Sequence, residues 1–354
     1  MDTEIFLIAT DNIDNCGADL DKAASYIKEG GLVAFPTETV YGLGGNGLLA
    51  NASKKIYEAK GRPSDNPLIL HIADAKAVDE LTDYVPDMAK KLIDAFWPGP
   101  MTLIFKKSDI VPYETTGGLD TVAIRYPMHP IALELIRRSG CYIAAPSANL
   151  SGRPSPTKAE HVITDLDGRV DAIIDGGDVD IGIESTIIDL TGDRPVILRP
   201  GFITEDMIKS VLGDVCFDPA VLLDHADSSI VAKAPGMKYK HYAPKAELSL
   251  IEGDDLAVLA GFLKMIKEAK NKGLKVGVIV TKEHEDAIDA DAKIVLGSKN
   301  DLKSIAHNLF ASLREMDDFG VDVIYCESFS NEELGRAIMN RLLKAAGYNL
   351  ISAE

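Results

Sequence analysis

The chain has 354 residues, 46% of them hydrophobic and 26% charged, which suits two ordinary domains with well-buried cores. Its 37 basic and 55 acidic residues give a net charge of −18. That argues against a general nucleic-acid or anionic-membrane surface, since both need a basic footprint, but leaves room for a local basic pocket. Four scattered cysteines (Cys16, Cys141, Cys216, Cys326) make no C-x-x-C pair, so neither a zinc site nor a disulfide framework is expected and a reducing cytoplasm fits.

The first residues, MDTEIFLIATDN, start acidic and lack the basic and long apolar regions of a secretory signal. No apolar run approaches the roughly 20 residues needed to span a bilayer, so no membrane partner is expected. DLDKAASYIKE (19–29) has apolar residues at helical spacing and stops at Gly30-Gly31. LVAF reads as a buried strand broken by Pro36, and the glycines of GLGGNG after it read as two tight turns. SKKIYEAKGRP predicts a helix ending before Pro63, PLILHI a strand, DMAKKLIDAFW a helix closed by Pro98-Gly99-Pro100, and MTLIFK a strand. TVAIRYP, CYIAAPS, DAIIDGG, ESTIIDL and PVILRPG are further short apolar runs bounded by Gly, Pro or polar residues. Many short strands with fewer helices predict an α/β (α+β-like) domain with a large twisted mixed sheet and flanking helices.

From about residue 246 the grain changes. ELSLIEG, LKVGVIVT, AKIVLGS and VDVIYCES alternate with helical runs at 254–272, 301–319 and 331–346, the pattern of a small Rossmann-like parallel α/β domain. This separates a first part, an intervening stretch and a C-terminal domain over 246–354; the resemblance described below implies a catalytic domain over 1–206 and a linker over 207–245 that crosses the active site. Within the linker, VAKAPGMKYKHYAPK carries four lysines, two tyrosines and no acid, which a mere spacer does not explain.

Three clusters offer chemistry. The stretch GGLVAFPTETVYGLGGNGL holds six glycines, yet it is neither a Walker loop, lacking Lys-Ser or Lys-Thr after GLGGNG, nor a dinucleotide fingerprint. KGRPSDNP places Lys60 and Arg62 where a helix gives way to a loop; helix-dipole stabilisation alone would also favour cations there. APSANLSGRPSP supplies Ser147, Asn149, Ser151 and Ser155 ahead of a helix expected from about Thr157, a natural anion site that ordinary turn chemistry would also produce. Arg125 and Arg199 each end an apolar run, from which a guanidinium fork can reach a carboxylate or phosphate. There is no Ser-His-Asp order, no metal-spaced histidine set and no evident general base. Cations and hydroxyls suit phosphoryl or nucleotidyl transfer, where positioning and charge neutralisation carry catalysis.

FPTETVYGLG, KGRPSDNPLILHI, WPGPMTLIF, TVAIRYP, APSANLSGRPSP, ESTIIDL and ILRPG, in this order and spacing, resemble the YrdC-like family in its long form, the threonylcarbamoyl-AMP synthases with an added C-terminal domain. The resemblance covers nearly the whole chain, PGMKYKHYAP looking like the family's linker. It implies a nucleotidyltransferase that makes L-threonylcarbamoyladenylate and diphosphate from L-threonine, bicarbonate and ATP, with Mg²⁺ on the ATP phosphates and no metal ligands from protein side chains. A tRNA-modifying threonylcarbamoyl transferase complex would use the product. By motif position, Thr39, His71, Arg125, the Ala145 backbone and Ser185 would contact L-threonine. Lys60, Arg62, Asn66, Thr121, Ser147, Ser155 and Arg199 would bind ATP, with Lys60 and Arg62 catalytic. Tyr242, or its neighbour Tyr239, would close over the nucleotide. Two alternatives stand beside this: the carbamoyl-adenylate-forming module of hydrogenase maturation, whose cysteine-rich fingers this chain lacks, and a double-stranded RNA-binding module, disfavoured by the acidic balance.

Overall fold

The computed structural model describes residues 2–222, 233–235 and 241–353, which fall into two units. The first unit takes residues 2–151, 155–222 and 233–235, and the second takes 152–154 and 241–353. Among the described residues, no helix is long and apolar enough to cross a membrane.

In the first unit the elements run β1 (Glu4–Leu7), α1 (Gly17–Lys28), β2 (Val33–Phe35), β3 (Gly42–Asn46), α2 (Ala50–Lys60), β4 (Ile69–His71), α3 (Ala77–Leu81) and α4 (Asp87–Phe96). They continue with β5 (Met101–Lys106), α5 (Tyr113–Thr116), β6 (Thr121–Arg125), α6 (Pro130–Ser139), β7 (Ile143–Ala144), α7 (Ala159–Leu166), β8 (Ala172–Asp175), β9 (Thr186–Asp189), β10 (Val196–Arg199), α8 (Glu205–Leu212) and β11 (Cys216–Phe217). The strands join in one mixed 11-stranded sheet ordered β1-β8-β2-β3-β7-β4-β6-β5-β9-β10-β11. This is the expected large mixed sheet. The α8 helix and β11, which pairs parallel with β10, carry the first unit on to Leu222.

Strand alternation decides what each face meets. Ala34, Leu43, Leu70, Leu103, Ile124 and Ile188 enter the main core on one face. Val33, Phe35, Ile143 and Ile174 point the other way, into a second core with Leu20 and Ile27 of α1 and Ile131 and Leu135 of α6. Further along that second face, over β4, β6, β5, β9 and β10, the described residues form a small apolar cluster of Ile69, Ile104, Ala123, Ile187, Leu198 and Ala234, with Val196 packed against it. Buried polar residues share this stretch.

One expectation fails in an instructive way. GLGGN forms β3 instead of two turns, and it pairs antiparallel with β2 and β7. A Cβ on Gly44 would lie 2.6 Å from Cγ2 of Ile143 and 2.7 Å from Cε1 of Phe35, so the bare backbone makes room for neighbouring side chains.

The second unit runs β12 (Glu247–Glu252), α9 (Asp255–Asn271), β13 (Val276–Val280), β14 (Ala292–Val295), α10 (Leu302–Asp318), β15 (Val323–Glu327), α11 (Glu333–Ala345) and β16 (Leu350–Ser352). Its five strands, ordered β14-β13-β15-β12-β16, pair parallel throughout, as the alternating pattern predicts. Asp254 caps α9 by accepting from Ala257 N at 2.9 Å, and Asp301 caps α10 by accepting from Ser304 N at 3.3 Å.

Candidate active site

The site is built on one row of the large sheet. His71 stands opposite Arg125, Arg125 opposite Thr102, Thr102 opposite Ile187, and Ile187 opposite Arg199. Directly opposed residues share a face, so three strands present His71, Arg125 and Thr102 side by side. Arg199 follows where β10 breaks register, and it donates from Nε to Ser185 O at 3.1 Å and from Nη2 to Ser185 Oγ at 3.2 Å. Ser185 Oγ and Thr102 Oγ1 lie 2.7 Å apart. His71, Arg125, Thr102, Ser185 and Arg199 are all buried. Thr121 lies four residues before Arg125 on the same face of β6, about 13 Å along the strand.

Two loops wall this face. The PTET loop between β2 and β3 is pinned from behind: Ile181 N donates to Glu38 O at 2.9 Å and Gly182 N to Thr39 O at 3.1 Å. The hydroxyls of Thr39 and Thr37 lie 2.9 Å apart. The APSAN loop after β7 is tied to the same chain, since Ala148 N donates to Tyr41 O at 2.8 Å and Leu43 N to Pro146 O at 2.9 Å. Ala145 N donates to Ile69 O at 2.9 Å, which sets its backbone beside β4.

Lys60 and Arg62 flank Gly61, whose φ of +60° ends α2 in the left-handed region that favours glycine. The Lys60 ammonium is buried and donates to the carbonyls of Ser147 and Asn149 and, at 3.3 Å, to Asn149 Oδ1. Ser147 Oγ donates to that same Oδ1 at 2.6 Å. Arg62 Nη2 donates to Pro67 O at 3.1 Å, and the buried Asn66 accepts at its carbonyl from Tyr57 OH at 3.1 Å. Ser155 Oγ donates to the buried carboxylate of Glu184 at 2.6 Å. The structure thus gathers Thr39, His71, Arg125, Ala145, Ser147, Ser155, Ser185, Arg199 and Lys60 on buried loops and strand ends of one unit. Tyr242 belongs to the second unit, where its ring packs 5.0 Å from that of Phe310; Tyr239 lies outside the described residues.

Electrostatics sharpen the row. Burial first, and the Arg125 charge second, push the His71 imidazole down to about 3, so the ring is neutral near pH 7. Its Nδ1 lies 3.1 Å from Ile69 O, a contact that fits a protonated Nδ1. Sequence reasoning passed over Thr102 and Glu184. Thr102 was detectable as a hydroxyl alternating with the core residues Met101, Leu103 and Phe105, and Glu184 sits next to the chosen Ser185. Among the described residues, no group of three or more His, Cys, Asp or Glu side chains is placed to hold a metal ion.

Residues 25–201 match the Sua5, YciO and YrdC family, described as telomere recombination, and the chain belongs to this family. Residues 203–347 match a second family, described as threonylcarbamoyl-AMP synthase, C-terminal domain. The chain is similar to the threonylcarbamoyl-AMP synthase of Pyrococcus abyssi, at 52% identity over 93% of this chain and 94% of the relative. It is likewise similar to that of Bacillus subtilis, at 49% identity over 98% of each chain. The crystal structure of P. abyssi Sua5 complexed with L-threonine superposes with a TM-score of 0.92 at 48% identity and covers 100% of both chains.

Proposed function

We propose that the chain is a nucleotidyltransferase that makes L-threonylcarbamoyladenylate and diphosphate from L-threonine, bicarbonate and ATP, for threonylcarbamoyl-adenosine modification of tRNA. The observation that carries this reading is the buried row from His71 through Arg125 and Thr102 to Arg199, set in a chain so similar over its whole length to threonylcarbamoyl-AMP synthases. Arg125 fits the amino-acid carboxylate, because its guanidinium is buried beside Glu38 and its Nε finds no hydrogen-bond acceptor among the described residues. Thr39, Ser185 and the Ala145 backbone are placed to sort hydroxyl and amine, while the neutral His71 ring adds contact without repelling the substrate ammonium.

The nucleotide would extend along the sheet face, past Thr121, with its phosphates towards Arg199 and the Lys60–Arg62 corner. There the carbamate oxygen attacks the α-phosphorus and diphosphate leaves. Lys60 and Arg62 take up charge on the leaving group, with Asn66, Ser147 and Ser155 holding the phosphate and sugar edges. Mg²⁺, carried on the ATP phosphates, would add charge neutralisation; the cationic surroundings fit phosphate better than direct metal ligation.

In this reading residues 1–206 form the catalytic domain, 207–245 a linker and 246–354 the C-terminal domain, with α8 and β11 packed as part of the first unit. The described piece of the linker supports a path across the site. Ala234 is fully buried on the apolar floor of Ile69, Ile104, Ala123, Ile187 and Leu198, and Arg199 Nη1 donates to Pro235 O at 3.4 Å. Tyr242 or Tyr239 would then close over the nucleotide. The setting is the cytoplasm, and the product passes to a tRNA-modifying threonylcarbamoyl transferase complex. Incubation with ATP, L-threonine and bicarbonate, followed by mass detection, should yield the threonylcarbamoyl-adenylate; the signal should vanish without threonine. An adenylate formed without threonine would overturn the reading.

A further inference from the structure

Threonine enters as an ammonium and must become a free amine before it can form a carbamate. The sequence offers no evident base, but the structure buries one beside the seat of the substrate. Glu38 is 2% exposed and Arg125 4% exposed, and Glu38 Oε1 lies 2.7 Å from Arg125 Nη2. The contact is close yet misaligned, since neither carboxylate oxygen of Glu38 meets a donor with hydrogen-bond geometry among the described residues. His129, 8% exposed, sits at the N-terminus of α6, and its Nδ1 is also buried without a hydrogen-bond partner. Burial lowers its pKa, partly offset by the charges of Glu38 and then of the exposed Asp180.

We propose that Glu38 accepts the ammonium proton of bound threonine. The proposal rests on the threonine seat at Arg125 argued above. One N–H bond of the ammonium breaks and an O–H bond forms on Glu38. The freed amine nitrogen then bonds to the bicarbonate carbon with loss of water, so each carbamate formed releases one proton overall. Charge counting favours Glu38 over water as the first acceptor. Arg125 and the ammonium are positive, Glu38 and the substrate carboxylate are negative, and the set is neutral. Losing the proton directly to solvent would leave a net negative charge in a buried site, whereas transfer to Glu38 keeps it neutral. The charged group in contact with Glu38 is Arg125 from β6, and the Glu38 charge also acts on the His129 ring at the start of α6.

The test is Glu38→Gln in the full chain, with threonine-dependent adenylate formation followed from pH 6.5 to 9.5 and threonine binding measured by calorimetry. At pH 7.5 kcat should fall by about 10²-fold or more. It should then recover by about tenfold per pH unit as free amine accumulates in solution, with threonine affinity changed less than about fivefold. Glu38→Asp should keep part of the rate and the wild-type pH profile. A Glu38→Gln protein with wild-type turnover, with an equal loss at every pH, or with threonine binding abolished overturns the assignment. If the wild-type protein forms no threonine-dependent adenylate, the failure lies in the functional reading itself.

Discussion

At the scale of single residues, His71 shows how the site draws on fold stability. Its ring is buried, edge-on to Phe35 at 6.1 Å and close to the Arg125 charge, which together hold its pKa down to about 3 against an ordinary 6.5. The unfolded chain therefore binds this proton more readily than the folded one. The neutral ring's contribution is present in full above pH 6.5 and is lost as pH falls towards 3, at up to about 1.4 kcal/mol per pH unit. His129, whose pKa burial also lowers, acts in the same direction. Urea unfolding of the wild type should lose about 2 kcal/mol between pH 6.5 and 5 that His71→Gln does not lose; parallel curves would mean that the folded protein accommodates a charged ring. The sequence made His71 and Arg125 visible as candidates, because polar residues ending apolar strands are conspicuous. It did not reveal Glu38 as the partner of Arg125, because that pairing is made by a loop and a strand far apart in the chain.

Elements were legible where local chemistry decides them. The helices expected at 254–272, 301–319 and 331–346 appear within about two residues of those limits, because Asp254 and Asp301 supply the starting caps. GLGGN was misread because glycine is both the residue of turns and the residue of crowded strands, and only packing tells these apart. At Gly44 the crowding comes from Ile143 and Phe35, two side chains from different strands. Gly44→Ala should therefore cost about 1–3 kcal/mol through overpacking. Because Phe35 also backs His71, the same change should raise the KM for threonine more than that for ATP. Thermal melting and steady-state kinetics check both parts, and an unchanged melting temperature would show that Phe35 yields freely. Short strands such as β11, without flanking signals, escape sequence reading altogether because their two residues are ordered by pairing with β10 alone.

For the whole molecule, the composition of 231–245 marked it as more than a spacer, but nothing in the sequence gave its path. Ala234 is the informative point. Its methyl group lies on the apolar floor two residues along the strands from His71, Arg125 and Thr102, and Arg199 binds the next carbonyl. Covering a residue that small brings the backbone close to the sheet face, and in the proposed function this piece of chain would roof the site as well as connect. Ala234→Asp would press a carboxylate onto Ile69, Ile104, Ala123, Ile187 and Leu198, at a cost of several kcal/mol that releasing residues 233–235 would relieve. The expected outcome is a modest fall in melting temperature with a rise of about tenfold in the KM for ATP and faster escape of the adenylate to solvent. Lys233→Ala, at the exposed neighbour, should leave both unchanged. Rapid-quench assays that compare enzyme-bound with free adenylate separate the cases. If Ala234→Asp retains wild-type ATP affinity and adenylate retention, the segment is a tether lying on the sheet and the site closes without it.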